Sequence, residues 1–412
     1  MGKHILEEGK KCLQCKKPAC KAGCPINTAI PEMIKLLLDG NIQMAGEMLF
    51  KNNPLSVICS LVCPHEKQCE GHCILNKKST PVQISSIENY ISDYNLDIMN
   101  LKPIKRLNRN IAIIGSGPAG ITIAFMLALK GYNITIFEAH DKIGGVLRYG
   151  IPEFRLPKRI LERLKDQLLK LGVKIRPNTV IGPVLTIEEL FRDGYDALFI
   201  GTGVWKPKKM NIKGESLGHV HYAIDYLKNP EVYELGEKVC IVGAGNVAMD
   251  VARTALRKGV KEVYIMYRKG FEEMSARKDE VEYAKIDGVK FELYKEPIEF
   301  TSDGVIYVET KDNNHENDES QNKDNEVKQL FQCDAIIVSV SQGPRSNIVS
   351  TTKGIELNQY GLIITDEYGR TTREGVFASG DVVTGAKTVV EAVKVSKEVS
   401  EIIHQYVEEK RG

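Results

Sequence analysis

Apolar residues are spaced in different ways along this chain, and the change in spacing divides it. Up to about residue 105 they recur at helical intervals, as in Ile30–Leu38, and no glycine-rich loop interrupts them, so this region predicts a small helical domain. From Ile111 the pattern turns to short apolar runs followed by glycine turns and long helical stretches, the alternation of a parallel α/β sheet. Ile111-Ala112-Ile113-Ile114 opens one such unit, and Val239-Cys240-Ile241-Val242 opens a second. The first unit pauses at Ala197-Leu198-Phe199-Ile200-Gly201-Thr202-Gly203 and is expected to resume at Asp334-Ala335-Ile336-Ile337-Val338-Ser339, ending in Gly375–Asp381 and a helix over Thr388–Ile403. The fold class is therefore α/β: a helical domain over residues 1–105, then two Rossmann-like domains. One spans 106–215 and 330–412, and the other, 216–329, is inserted in it. Asp312–Lys328 is polar almost throughout and is expected to be a hairpin tip or insertion.

Composition narrows the class. With 412 residues, 42% hydrophobic and 27% charged, the chain is expected to be a soluble protein of two or three domains. A formal net charge of +2 sets up no strong field for nucleic acid or an anionic membrane, so neither is an expected partner. The N-terminal residues MGKHILEEGKKC lack a secretory apolar stretch, and no run of about 20 apolar residues occurs, which points to the cytoplasm.

Both α/β units carry a dinucleotide-binding turn. In the first, Gly115-Ser116-Gly117-Pro118-Ala119-Gly120 follows a strand and opens a helix containing Ala124, Leu127 and Leu129. Its glycines allow a tight turn, close approach of a pyrophosphate and close helix–strand packing, with the helix N-terminus offering N–H groups to the phosphates. Glu138 ends the next strand, Asn133–Phe137, where an acid can bind a ribose hydroxyl pair. The second turn is Gly243-Ala244-Gly245-Asn246-Val247-Ala248, and its following strand, Val263–Tyr267, ends in Arg268-Lys269. Cations in place of the acid favour the 2′-phosphate of NADP(H) over the free hydroxyl of NAD(H), although a solvated basic turn reads the same way.

Cys12, Cys15, Cys20, Cys24, Cys59, Cys63, Cys69 and Cys73 crowd the helical domain, while Cys240 and Cys333 fall in or beside strands and are expected to be buried core thiols. In a reducing compartment such density is more often metal-binding than disulfide-bonded. Zinc accepts thiolates from C-x-x-C pairs, but Cys12-x2-Cys15-x4-Cys20-x3-Cys24-Pro25 is a stretched ferredoxin-type run, which favours two [4Fe-4S] clusters wired to the dinucleotides.

With Gly375-Val376-Phe377-Ala378-Ser379-Gly380-Asp381 the chain resembles the two-dinucleotide flavoprotein reductases. That resemblance implies FAD in the first unit, Gly380 and Asp381 at the ribityl region, the helix start at Thr388 at the flavin's pyrimidine edge, and Gly144, Gly145 and Arg148 lining the flavin. Cys63-Pro64-His65-Glu66-Lys67-Gln68-Cys69-Glu70-Gly71-His72-Cys73, Arg148–Lys158 and Gly380–Ala386 extend it over nearly the whole chain. They are similar to the glutamate synthase small-subunit family, which includes the electron-input part of dihydropyrimidine dehydrogenase. By that resemblance Cys12, Cys15, Cys20 and Cys73 hold one cluster and Cys24, Cys63 and Cys69 the other, completed by Glu88 or, less favoured, by Cys59. It further implies that NADPH gives electrons through FAD and the clusters to a separate catalytic subunit of the glutamate synthase large-subunit type. Pyrimidine dehydrogenase, a ferredoxin-coupled transhydrogenase and a nucleotide-binding regulatory protein stand as alternatives. No residue is marked as a catalytic acid or base.

Overall fold

The computed structural model describes residues 2–103, 105–310, 327–345 and 348–410. Asp312–Lys328 lies outside the described residues except for Val327 and Lys328, both exposed. The chain forms two compact units, one of Met1–Arg148, Glu153–Val204 and Gly343–Gly412, the other of Tyr149–Pro152 and Trp205–Gln342. Among the described residues no helix is long and apolar enough to cross a membrane.

The first unit begins with helices, chiefly Gly2–Lys10, Ile30–Leu38, Ile42–Asn52, Ser56–Val62 and Ile84–Ile98. Their apolar faces close on Ile30, Met33, Ile34, Leu37, Ile87 and Ile91, all nearly inaccessible, as helical spacing of apolar residues requires. The sheet that follows is parallel, in the order Val376–Ala378, Ala197–Ile200, Asn110–Ile114, Asn133–Phe137, Lys174–Arg176. Ile111 pairs with both Ile134 and Ala197, so the Asn110–Ile114 strand is central, and its unbroken apolar run reflects burial on both faces. The helices Pro118–Lys130 and Val389–Glu409 are tied where Lys130 meets Glu401 at 2.9 Å and the Tyr132 hydroxyl meets His404 Nδ1 at 2.7 Å. The helical segment is joined to this fold by the edge-to-face pair Phe50–Phe125, by Lys397 Nζ donating to the Asn52 carbonyl at 2.5 Å, and by Gln167 donating to the Leu96 carbonyl.

The second unit holds a parallel sheet in the order Val220–Tyr222, Ala335–Val338, Lys238–Val242, Glu262–Tyr267, Lys290–Leu293, beside a three-stranded antiparallel sheet of Lys295–Thr301, Gly304–Glu309 and Gln329–Gln332. One expectation is corrected here. Ala335–Val338 does not resume the first sheet but pairs with Lys238–Val242, Ile336 opposite Cys240. A four-residue apolar run suits the middle of either parallel sheet, and nothing in its composition says which. Cys240 and Cys333 are buried in one apolar cluster with Phe300, Val305 and Tyr307, as core thiols should be.

Arg253, nearly buried, donates to Glu280 and Asp287 at 2.9 Å each, and Arg257 also reaches Asp287. Removing the central cation takes this ion pair from the buried Glu280 carboxylate. Arg253→Met is therefore expected to lower stability by about 3 kcal/mol, read as an earlier unfolding midpoint in urea.

Candidate cofactor and cluster sites

The first glycine turn ends the central strand Asn110–Ile114. Gly115 has φ +96°, and an added Cβ there would stand 2.7 Å from the Gly201 carbonyl oxygen. Gly120 lies so close to the turn that a Cβ would meet the Gly115 carbonyl oxygen at 2.0 Å. Gly117 differs: its Cβ would meet only Gly201 O, at 3.9 Å, so this residue borders open space. The helix Pro118–Lys130 starts there with Pro118 at N1 and no side-chain cap. Its first N–H groups thus have no side-chain acceptor on Gly117, and a phosphate fits their need. Gly144 and Gly145 come from a later loop and close over the turn. Gly144 N donates to Ser116 O at 3.0 Å, and Gly145 (φ +51°) would place a Cβ 2.8 Å from Gly117 Cα.

Glu138 is buried beside this turn, and both of its oxygens are engaged. One accepts from Ser116 N and Oγ, the other from His140 N at 2.8 Å and Nδ1 at 2.9 Å. Burial works to raise its pKa, but the His140 and Ser116 bonds outweigh that and hold the carboxyl below its ordinary value. Four acceptor sites are used, so a ribose hydroxyl would have to share or displace one of these partners. Arg148 is turned to its own fold, its Nε donating to Ile143 O at 2.7 Å and its Nη2 to Glu162 at 2.5 Å.

Gly380-Asp381 reaches the same turn from the other side of the chain. Gly380 has φ +76°, and a Cβ on it would touch Ala119 Cβ at 3.1 Å and Ala392 Cβ at 3.9 Å. Burial pushes the Asp381 carboxyl up to about 6, opposed by a hydrogen bond from Lys387 N and aided by the charge of Glu391. Thr388 is the N-cap of helix Val389–Glu409, in a reciprocal capping box with Glu391. Gly115, Gly117, Pro118, Ala119, Gly120, Glu138, Gly144, Gly145, Gly380, Asp381 and Thr388 are therefore drawn to neighbouring ends of the first sheet's strands and helices.

The second turn repeats the geometry in its own unit. Gly243 has φ +127° and would place a Cβ 2.3 Å from Ser339 O, while Gly245 caps Asn246–Arg257 without a side-chain bond. The segment Met274–Arg277 lies along this turn, with Ala276 N donating to Ala244 O at 3.1 Å and Arg277 N to Asn246 Oδ1 at 2.9 Å. Val247 follows in the first helical turn. Arg268 is exposed and 3.5 Å from Glu296, and Lys269 is part-buried beside it, both beyond the end of Glu262–Tyr267.

The cysteines sort into two groups that cross the two sequence runs. Cys12, Cys15, Cys20 and Cys73 are half-buried and close together, and burial, with Cys15 and Cys73 nearby, raises the Cys12 thiol above its ordinary value. Burial chiefly, with these neighbours, pushes the Cys20 thiol up to about 11. Cys24, Cys59, Cys63, Cys69 and Glu88 line one space of about 320 Å³ including its mouth. Cys63 and Cys59, one helical turn apart, are hydrogen-bonded through sulfur, which with burial drives Cys63 well above the usual thiol range; burial and then Glu88 do the same to Cys69. Burial, then Glu70, pushes the Glu88 carboxyl up to about 8. Each shift disfavours the anionic form until a cation compensates, as a metal held by these donors would. Among the described residues no three His, Cys, Asp or Glu side chains close round a single ion. Four thiols and a carboxylate instead line one space, a donor set larger than the four ligands of a structural zinc site, which fits a polynuclear core better than zinc. His65, Gln68 and Val390 also line this space. His65 and Gln68 sit inside the second cysteine run and could have been suspected on that ground. Val390 comes from the distant C-terminal helix and carries no signal in sequence.

Two glycine-turned parallel sheets behind a thiol-lined helical segment define a two-dinucleotide oxidoreductase with a metal-cluster domain. Residues 109–396 match the pyridine nucleotide-disulphide oxidoreductase model, and residues 1–99 match the dihydropyrimidine dehydrogenase domain II, 4Fe-4S cluster model. The glutamate synthase [NADPH] small chain of Halomonas elongata is 33% identical over 97% of this chain and 90% of its own length, and that of Azospirillum brasilense 32% over 98% and 89%. The NADPH-Fe(3+) oxidoreductase subunit beta of Geobacter sulfurreducens is 32% identical over 95% of this chain and 64% of its own. The thioredoxin reductase of T. acidophilum shares the fold at TM-score 0.56 and 20% identity, over 74% of this chain and 100% of its own. The chain belongs to the pyridine nucleotide-disulphide oxidoreductase family and, within it, to the glutamate synthase small-chain group. It is an FAD-dependent NAD(P)H oxidoreductase with an iron–sulfur domain.

Proposed function

We propose that this protein takes electrons from NADPH and delivers them, through FAD and two [4Fe-4S] clusters, to a separate catalytic subunit of the glutamate synthase large-subunit type. The observation that carries this is the shared helix end. Val390 walls the space lined by Cys24, Cys59, Cys63, Cys69 and Glu88, while Ala392, two residues on, packs beside Gly380 at the first glycine turn. Cluster ligands and flavin site thus meet across one turn of helix, within one compact unit.

Bound flavin supplies hydride acceptance from a nicotinamide and release of electrons singly to clusters. The chain's own residues orient and enclose. Gly115, Gly117, Pro118, Ala119 and Gly120 present the first helix N-terminus to the FAD pyrophosphate, and Glu138 holds its ribose by exchanging one of its Ser116 or His140 hydrogen bonds for a ribose hydroxyl. Gly144, Gly145 and Arg148 shape the wall, with Gly380, Asp381 and Thr388 at the flavin end, where the Val389–Glu409 helix dipole favours negative charge. Gly243, Gly245, Asn246 and Val247 hold the NADP(H) pyrophosphate, with Arg268 and Lys269 at the 2′-phosphate. Cys12, Cys15, Cys20 and Cys73 ligate one cluster, and Cys24, Cys63, Cys69 and Glu88 the other. The thiols point to a reducing compartment, the cytoplasm.

Arg268→Ala combined with Lys269→Ala is expected to raise KM for NADPH about tenfold while leaving KM for NADH nearly unchanged, in steady-state reduction of ferricyanide. The match of residues 1–99 to a dihydropyrimidine dehydrogenase domain favours, as a second reading, a pyrimidine-reducing partner. Anaerobic isolation from the native host decides between them: a co-purifying large subunit that forms glutamate from glutamine and 2-oxoglutarate supports the first, and one that reduces uracil supports the second.

A further inference from the structure

The cysteine groups differ in depth. In one group Cys59, Cys63 and Cys69 are buried and Cys24 is half-buried, whereas in the other Cys12, Cys15, Cys20 and Cys73 are all only half-buried. Beside the shallower group stand two exposed apolar side chains, Leu13 at 62% and Ile74 at 53% exposure, each next in sequence to one of its cysteines. The segments that carry them meet in space, since a Cβ on Gly23 would run into the His72 ring, and Cys12, Cys20, Cys73 and Leu75 pack on one apolar core. Lys16, Lys17, Lys21, Lys77 and Lys78 surround these cysteines, all exposed and in no ion pair among the described residues. Residues 9–31 and 71–87 contain these five lysines and no aspartate or glutamate, an excess of positive charge in a chain whose formal net charge is only +2, although Glu8, Glu66 and Glu70 stand at the borders of the two segments.

Single exposed apolar residues and single lysines are ordinary surface. Their coincidence over the shallower thiol group is not, because an apolar centre within a charged rim is the make-up of a protein docking interface. We propose that this lysine-rimmed face is where the chain docks a protein with an acidic surface that accepts electrons one at a time. The proposal rests on the electron-input role above and names the chemistry of its partner. Each docking passes one electron, and two passages use the pair that NADPH releases on becoming NADP⁺ and a proton. A basic rim steers an acidic partner mainly through the association rate, and salt weakens that steering.

The test uses anaerobically purified, cofactor-loaded protein and an acidic bacterial ferredoxin as probe, with basic cytochrome c as control, by surface-immobilised binding between 50 and 300 mM NaCl. Salt-weakened binding of ferredoxin but not of cytochrome c is expected. A K16E/K17E/K77E/K78E variant should slow ferredoxin association at least about tenfold, with iron content and NADPH–ferricyanide turnover unchanged. Leu13→Gln should shorten the life of the complex. Binding indifferent to salt and to charge reversal would overturn the proposal, as would anionic vesicles or duplex DNA binding tighter than ferredoxin. If NADPH fails to reduce the clusters while the salt-sensitive binding persists, the electron-input role falls and the docking face stands.

Discussion

Gly120→Ala is expected to abolish flavin binding and to destabilise the first unit, whereas Gly117→Ala, three residues away, is expected to fold normally and bind flavin weakly. The difference lies in what each new methyl would meet. At Gly120 it would lie 2.0 Å from the Gly115 carbonyl oxygen and 3.3 Å from Ile113 Cγ2. The obstacle is backbone at the end of the central strand, which cannot rotate aside, so the Pro118–Lys130 helix must lift from the sheet. Overpacking alone costs about 1–3 kcal/mol, and here it also displaces the N–H groups on which phosphate binding depends. At Gly117 the methyl would enter the space that the structure leaves open, 3.9 Å from the nearest backbone oxygen, and compete only with the pyrophosphate. Flavin released by heat, read with thermal unfolding, separates the two. A Gly120→Ala protein with wild-type flavin and stability would show that the helix does not need this close approach.

Cys63→Ser is expected to remove one whole cluster and leave the other. Cys63 is buried against Cys59, Cys69 and Glu88 and far less solvated than the Cys12 group, so a serine hydroxyl there has neither the charge nor the softness to replace a thiolate. Iron should fall from about eight per chain to about four. Cys12→Ser should give the same count through loss of the other cluster, and the double variant should carry almost no iron. Glu88→Gln against Cys59→Ser then assigns the last ligand. If Glu88 ligates, changing it alters the cluster's spectrum while Cys59→Ser changes little. If Cys59 ligates, the pattern reverses. Full iron in Cys63→Ser would remove this residue from the ligand set.

Much of this arrangement was legible because it rests on local pattern. Ile111–Ile114 and Val239–Val242 each precede a glycine turn, and turn chemistry of that kind has few structural meanings. The helical start was legible from spacing such as that of Ile30–Leu38. What escaped depends on contacts between residues far apart in sequence. Ala335–Val338 is apolar enough for either sheet, and only pairing places it beside Lys238–Val242. Glu138 reads in sequence as an acid placed to bind a ribose, but its hydrogen bonds to His140, two residues on, and to Ser116 of the turn emerge only from the fold. Val390 looks like any apolar helix residue until the fold brings it beside Cys59 and Cys63, far earlier in the chain.

Anaerobic titration of the cofactor-loaded protein with NADPH, followed by visible absorption and electron paramagnetic resonance, tests the electron-input role most directly. The two electrons of the first NADPH should divide between flavin and clusters, and a second equivalent should complete the bleaching of the flavin and the reduction of the clusters, in a protein holding one FAD and about eight irons. A flavin that NADPH reduces while the clusters stay oxidised, or a protein that holds neither iron nor FAD, would contradict it.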